Sequence, residues 1–182
     1  MINRINNINR RWFLQSMACA SAGLFVSPTL LAANHKAREL AFVHTHTGEH
    51  LKIQYSDEYG YFPDALAEIN YFLRDFRTGV VHSMDTGLLD ILNDIRLGMS
   101  ENGVFEVISG YRSPIKNEIM RANGRGVAKH SLHMQGRAID IRLTGVDTSQ
   151  LRNYCISMKC GGVGYYQKSN FIHVDTGRVR SW

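Results

Sequence analysis

The spacing of apolar and polar positions changes several times along this chain, and each change predicts an element. Residues 39–44 and 50–55 alternate around Thr47-Gly48, the pattern of two strands and a tight turn at a domain edge. Phe62-Pro63-Asp64 then opens a helix in which Leu66, Ile69, Phe72, Leu73 and Phe76 recur at helical spacing. Asp85 caps a second helix that buries Leu88, Leu89, Ile91, Leu92, Ile95 and Leu97 and stops at Gly103. A short apolar strand over 104–108 delivers Ser109-Gly110-Tyr111-Arg112-Ser113 into a loop, and Pro114 starts a helix reaching Ala122. Residues 123–136 hold three glycines and few apolar side chains, so they form a loop. A strand over 137–143, a helix over 148–159, a strand over 163–166, a turn over 167–170 and a last strand over 171–175 complete the series. No repeat, long linker or low-complexity segment interrupts it. Strands mixed with helices without a regular βαβ rhythm predict an α+β fold, its central sheet mainly antiparallel and flanked by helices.

The first 33 residues follow a different logic. They contain Arg4, Arg10 and Arg11, no acidic residue, an apolar run over 17–26, and then Ala32 and Ala33. That charged, apolar, small-residue order is the order of a cleaved secretory leader. Asn9-Arg10-Arg11-Trp12-Phe13-Leu14-Gln15 resembles a twin-arginine export signal, with Asn in place of the usual Ser or Thr. The run is too short to span a bilayer, and Cys19 lacks the preceding leucine of a lipid-anchoring site. The expected organisation is therefore an export signal over 1–33 and a single domain over 34–182, located in the periplasm with no membrane span.

Removing the leader changes the charge balance. Of 21 basic residues in the chain three lie in the leader, leaving 18 against 16 acidic ones. So even a balance offers no electrostatic footprint for nucleic acid. Two cysteines remain, Cys155 and Cys160, near the end of the expected helix. Five residues apart they lie on different helical faces, which leaves both a bridge at an unwound helix end and two free thiols open.

The candidate chemistry lies in the second half. Ile139 and Ile141 face one side of their strand, so Asp140 faces the other; Ile172 and Val174 likewise leave His173 and Asp175 opposite. His133, in the loop before the first of these strands, can fold over to join Asp140 and His173. Two imidazoles and one carboxylate suit zinc and leave a fourth position for water, the mark of a catalytic rather than structural site. Spacing alone also permits surface histidines and an ordinary salt bridge.

Longer strings narrow the choice. Ser131-x-His133-x-x-Gly136-x-Ala138-x-Asp140 resembles the signature of zinc D-alanyl-D-alanine peptidases and their relatives, which include vancomycin-resistance dipeptidases and penicillin-insensitive murein endopeptidases. Ser109-Gly110-Tyr111-Arg112-Ser113 is similar to the arginine loop of that superfamily, and Phe171-Ile172-His173-Val174-Asp175 to its terminal ligand strand. With Gly161-Gly162-Val163-Gly164-Tyr165-Tyr166 and the leader, the whole chain resembles the YcbK-like murein endopeptidase K family. The resemblance implies a hedgehog/D-alanyl-D-alanine-peptidase-like site in which His133, Asp140 and His173 hold one Zn2+ per chain. It also implies hydrolysis of the peptide crosslinks of peptidoglycan stems, particularly those involving meso-diaminopimelate.

Other roles follow from that frame. Arg112 would bind a substrate carboxylate or stabilise an oxyanion. Ser131 would bind substrate or cap its loop, and His130 either orients the metal ligands, contacts substrate or is incidental. Many relatives carry Glu or Asp three residues before the last histidine ligand, or His two before it; here Asn170 and Phe171 stand there, and neither accepts a proton. Asp175 is the substitute: a general base, or a carboxylate that orients an imidazole or Arg. Tyr165, Tyr166 and Trp182 either line a substrate groove or pack at a domain edge. Two other functions stay in view, a non-catalytic zinc-containing peptidoglycan-binding module and a zinc D,D- or L,D-carboxypeptidase.

Overall fold

Residues 37–124 and 127–182 are described by the computed structural model; the expected leader lies outside them. β1 (Arg38–His44) and β2 (His50–Asp57) form the antiparallel hairpin, with Gly48 at φ 72° in its turn. A two-residue strand, β3 (Gly60–Tyr61), extends it. α1 (Pro63–Phe72) begins with Pro at a first-turn position, where its missing N–H costs no hydrogen bond.

α1 is shorter than its apolar spacing suggests. Leu73 is its C-cap, and Asp75 then takes the Arg77 backbone N–H, turning the chain so that Phe76 lies outside the helix. α2 (Thr86–Met99) starts where expected, because the Asp85 carboxylate accepts the Gly87 N–H. It ends at Met99 rather than near Gly103, and Leu97 faces solvent.

β4 (Phe105–Ser109) leads through the arginine loop into α3 (Pro114–Ala122). β5 (Ala138–Leu143), α4 (Thr148–Met158), β6 (Gly162–Tyr166), β7 (Phe171–Asp175) and a short β8 (Arg180–Ser181) follow. Neither β3 nor β8 is marked in the sequence, since two residues carry no readable alternation.

All eight strands join one sheet in the order β3-β2-β1-β4-β5-β7-β6-β8. The fold is α+β, but the sheet is mixed rather than mainly antiparallel. β1 pairs parallel with β4, and β6 parallel with β8. The first parallel pair arises because the chain passes through α1 and α2 before returning beside β1, the long crossover that parallel pairing requires. α1 packs on β2, α2 on β1 and α4 on β5, β6 and β7. Between helices and sheet lies the core, built from Leu40, Phe42, Leu88, Leu92, Phe105, Val107, Ile139, Ile141 and Ile172 among others. Each such side chain contributes roughly 1.5–3 kcal/mol when fully buried.

Cys155 is buried on α4 and Cys160 is exposed beyond its end; both are free thiols. No helix among the described residues is long and apolar enough to cross a membrane.

Candidate metal centre

Strand register assembles the site. Antiparallel pairing sets Asp140 of β5 opposite His173 of β7, and His173 opposite Gly164 of β6. Ile139 and Ile141 turn into the core, so the Asp140 row occupies the other face of the sheet. The next row holds Ala138, Asp175 and Gly162. Gly164 leaves space that Trp182 fills: a Cβ there would lie 2.7 Å from the indole. Trp182 therefore lies across the sheet, its ring 5.3 Å from that of His173.

His133 does not come from an irregular loop. It stands on a short 3-10 turn, Leu132–Gln135, ended by Gly136 in the left-handed region at φ 66°. A Cβ on Gly136 would meet the Ser83 carbonyl oxygen at 2.1 Å, so both conformation and space require glycine. Two hydrogen bonds tie this turn to the arginine loop: Arg112 N–H donates to the His133 carbonyl (3.2 Å), and His133 Nδ1 donates to the Gly110 carbonyl (2.8 Å).

The donor atoms converge. His133 Nε2 is 3.2 Å from Asp140 Oδ1 and 3.2 Å from His173 Nδ1, and His173 Nδ1 is 3.0 Å from Asp140 Oδ1. All three residues are buried, and one ligand atom from each lies within 4.8 Å of the others. The outer nitrogens decide what this arrangement fits. His133 Nδ1 faces a carbonyl, which only accepts, and His173 Nε2 faces the Asp175 carboxylate at 2.9 Å. Neutral rings with protons on those outer atoms turn two lone pairs toward each other and toward a carboxylate. A cation at their centre satisfies all three.

In the absence of a cation, the same contacts shift the titration of both partners. Burial opposes charge on His173, but hydrogen bonds to Asp140 and Asp175 raise its pKa above the ordinary value. Burial likewise opposes ionisation of Asp140, yet the neighbouring His133 and His173 hold its carboxyl well below the usual aspartate range.

Arg112 is buried beside the cluster, with Nη2 3.6 Å from Asp140 Oδ2. Its support was not apparent in the sequence. Asp75, in the turn after α1, accepts from Ser113 N–H (3.0 Å) and Ser113 Oγ (2.5 Å), while Tyr111 N–H donates to the Leu73 carbonyl (2.8 Å). The turn after α1 thus braces the arginine loop. The only hint was Ser113-Pro114, a capping residue whose partner lies 38 positions away.

Asp175 is fully buried. Oδ2 holds His173 Nε2 and Arg180 Nη2 (2.6 Å), and Oδ1 accepts from Gly162 N–H, Gly177 N–H and Arg180 Nη1. Burial opposes its charge, but His173 and Arg180 keep it ionised far below the usual range. Arg180 was also not anticipated. Ser131 makes no side-chain cap hydrogen bond and lines the cleft, as does the exposed His130. Asn170 is turned to Thr148, whose Oγ1 donates to its Oδ1 at 2.6 Å. Tyr166 stacks on Phe171 in the cleft, whereas Tyr165 packs against the core beneath Arg152.

The cluster opens into a cavity of about 560 Å3 lined by Ser131, Tyr166, Phe171 and Trp182. A second cavity of about 250 Å3, lined by His46, Arg77, Tyr111 and Lys116, adjoins it. Arg112, Met120, Asp140 and Phe171 line both. Among the described residues, Asp140 and Asp175 are the only carboxylates lining the larger cavity.

Two imidazoles and a carboxylate meeting in an open cleft on a sheet face define a candidate single-metal centre of the hydrolase kind. The chain belongs to the family described as peptidoglycan L,D-endopeptidase MepK, whose model matches residues 32–182. It is 40% identical over 177 residues to the peptidoglycan L,D-endopeptidase MepK of Escherichia coli, covering 96% of this chain and 97% of that protein. The probable peptidoglycan L,D-endopeptidase MepK of Haemophilus influenzae is 40% identical over 185 residues, 100% of this chain and 98% of the relative.

Proposed function

We propose that this chain is an exported, zinc-dependent endopeptidase that hydrolyses peptide crosslinks of peptidoglycan: D-Ala–meso-diaminopimelate, bonds between two meso-diaminopimelates, or both. The observation that carries the reading is the convergence of His133 Nε2, Asp140 Oδ1 and His173 Nδ1 with both outer ring nitrogens committed elsewhere. Family membership and the named activity of the relatives support it. His133, Asp140 and His173 would hold one Zn2+. Zinc held there would supply Lewis acidity for amide hydrolysis and for activating water near neutral pH.

The chain's own groups do the rest. Arg112, buried 3.6 Å from Asp140, presents a guanidinium where negative charge develops on the carbonyl oxygen. Asp175 holds the His173 ring in the tautomer that ligates through Nδ1, and Arg180 holds Asp175. Ser131 lines the cleft as a contact for the peptide. Two adjoining cavities that share Asp140 and Arg112 leave room for peptide beyond the metal cluster, which suits an endopeptidase rather than a carboxypeptidase. Residues 1–33 would direct the chain to the periplasm, where the wall polymer lies.

One observation favours a second reading. Both cleft carboxylates are engaged, one in the cluster and one with His173 and Arg180, so a wall-binding module that keeps the metal but lacks a base also suits this geometry. Incubating purified crosslinked muropeptides with the protein lacking residues 1–33, with and without zinc and beside Asp140→Ala, separates the two. Zinc-dependent conversion of dimers to monomers, absent in the variant, is the expected result. Binding without turnover by folded, zinc-loaded protein overturns it in favour of the module, and release of a terminal D-amino acid alone indicates a carboxypeptidase.

A further inference from the structure

In a regular helix Cys155 and Cys160 point to different sides, since five residues carry the chain about 140° past one full turn. Helix α4 does not stay regular that far. Lys159 takes the left-handed conformation at φ 53°, and its N–H returns to the Ile156 carbonyl at 3.3 Å. It is one of two non-glycine residues with positive φ among the described residues, the other being Asn170. A left-handed residue at a helix end reverses the chain, so that the residue after it folds back toward the one five positions before that. Here those residues are Cys160 and Cys155. Their settings differ. Cys155 is buried in the core, whereas Cys160 is exposed, its Sγ donating weakly to the Met158 carbonyl at 3.3 Å. Burial pushes the Cys155 thiol up to about 12, and the neighbouring Cys160 contributes to that rise. One thiol is open to solvent and the second lies behind it.

We propose that Cys155 and Cys160 form an intramolecular disulfide site, which closes when the protein meets a small disulfide oxidant such as oxidised glutathione. The site is independent of the peptidase reading. Cys160, as thiolate, attacks one sulfur of the oxidant, giving a mixed disulfide and releasing one glutathione thiolate. Cys155 then gives up its proton, and its sulfur attacks the Cys160 sulfur and expels the second glutathione as thiolate. Two protein thiols are oxidised to one disulfide, and the oxidant is reduced to two thiols. Burial sets the order: Cys160 is the sulfur that the oxidant reaches, and Cys155 resolves the intermediate. The bridge sits at a joint of the fold. Gly161 follows directly, and a Cβ there would lie 1.8 Å from the Asp175 carbonyl oxygen, so no side chain fits. Gly162 opens β6, and its N–H donates to Asp175 Oδ1 at 3.1 Å. Backbone packing therefore fixes the chain after Cys160, and the bridge fixes the chain before it, tying the end of α4 to its own last turn.

The test incubates the full chain with oxidised glutathione, alkylates the remaining thiols in denaturant and digests without reductant. Trypsin cuts after Arg152, Lys159 and Lys168, so the bridge joins peptides 153–159 and 160–168, while Cys19 falls on the separate peptide 12–36. The expected result, from monomeric protein, is a joined species two hydrogens lighter than the sum of the two peptides, which reductant separates. Cys155→Ala is expected to stop at the mixed disulfide, with one glutathione on Cys160. Cys160→Ser is expected to leave Cys155 unmodified while folded, and thermal melts of the reduced variants verify folding. The oxidised wild-type protein should melt about 2–6 °C above its reduced form, a gap that neither variant shows. Both thiols still fully alkylated after oxidation would overturn the site. So would a glutathione that stays on Cys160 of the wild-type protein, or a bridge from Cys160 to Cys19 or to another chain. Each of these results leaves the peptidase reading standing.

Discussion

His173 is held at both ring nitrogens, by Asp140 on one side and Asp175 on the other, and this decides how the neighbouring carboxylate can act. A general base needs an oxygen open to the water it deprotonates. Asp175 has none to offer: it is fully buried, with two backbone N–H groups, Arg180 and His173 on its two oxygens. The role it fits is to fix the tautomer of His173 and strengthen that ring as a ligand. Replacing Asp175 with Asn should then weaken zinc binding by about 10- to 100-fold, read by competition with a chelator. Most of the lost activity should return at saturating zinc. A deficit that stays at several orders of magnitude in kcat when the metal site is full would instead make Asp175 the base.

At the scale of elements, the arginine loop is held in place by a turn that carries no chemistry itself. Asp75 accepts the Arg77 N–H in the chain reversal after α1 and fastens Ser113, the N-cap of α3, so one carboxylate ties that turn to the segment that presents Arg112. Burial disfavours its charge, but the Ser113 hydroxyl and amide, the Arg77 amide and Thr78 together lower its pKa below the ordinary value. A carboxyl whose folded pKa is depressed stabilises the fold fully above the unfolded aspartate value of about 4, and that contribution is lost as pH falls through the folded value. Asp75→Asn should therefore cost roughly 1–3 kcal/mol at pH 7, measured by urea unfolding of the metal-stripped protein. The deficit should narrow by pH 3. Peptidase activity at pH 7 should fall as well, because Arg112 loses its brace; a variant with lower stability and undiminished kcat/KM would show that the loop holds its shape unaided.

Elements with a long uninterrupted period were legible in the sequence. The Asp85 cap located the start of α2, and the alternation of Ile139-Asp140-Ile141 and Ile172-His173-Val174 told which side chains share a sheet face. Register then set Asp140 against His173, a step that parity permits but does not dictate. Phe76 kept the helical rhythm of α1 although the helix had already ended, since spacing cannot register an Asp75 side chain capturing the backbone. The parallel pairing of β1 with β4 was not legible either. It depends on which strand the chain returns to after two helices, a choice made by packing across the whole sheet. Asp75 and Arg180 act through partners fixed only by that packing, so neither stood out among the charged residues.

For the whole molecule, the decisive property is that a second cavity adjoins the one that holds the candidate centre, the two sharing Asp140 and Arg112. A carboxypeptidase recognises the terminus it releases, so its cleft stops just beyond the scissile bond and length matters on one side only. Here Arg112, Met120, Asp140 and Phe171 line both cavities, so the cleft continues past the cluster. A substrate threading the site gains binding energy on both sides, and part of that energy appears only when the scissile bond is correctly positioned. Crosslinked peptides shortened one residue at a time should therefore lose kcat/KM from either end, by about 3- to 30-fold for each contact removed. Shortening the half that lies in the larger cavity should empty the lobe of Tyr166 and Trp182, and shortening the other half should empty the adjoining smaller cavity. Trp182→Ala should blunt only the first series, because its ring lines the larger cavity alone and covers Gly164, where no side chain can replace it. Sensitivity confined to one half, with Trp182→Ala indifferent to substrate length on either side, would mean that the large cavity takes no part in holding the peptide and that the enzyme trims ends.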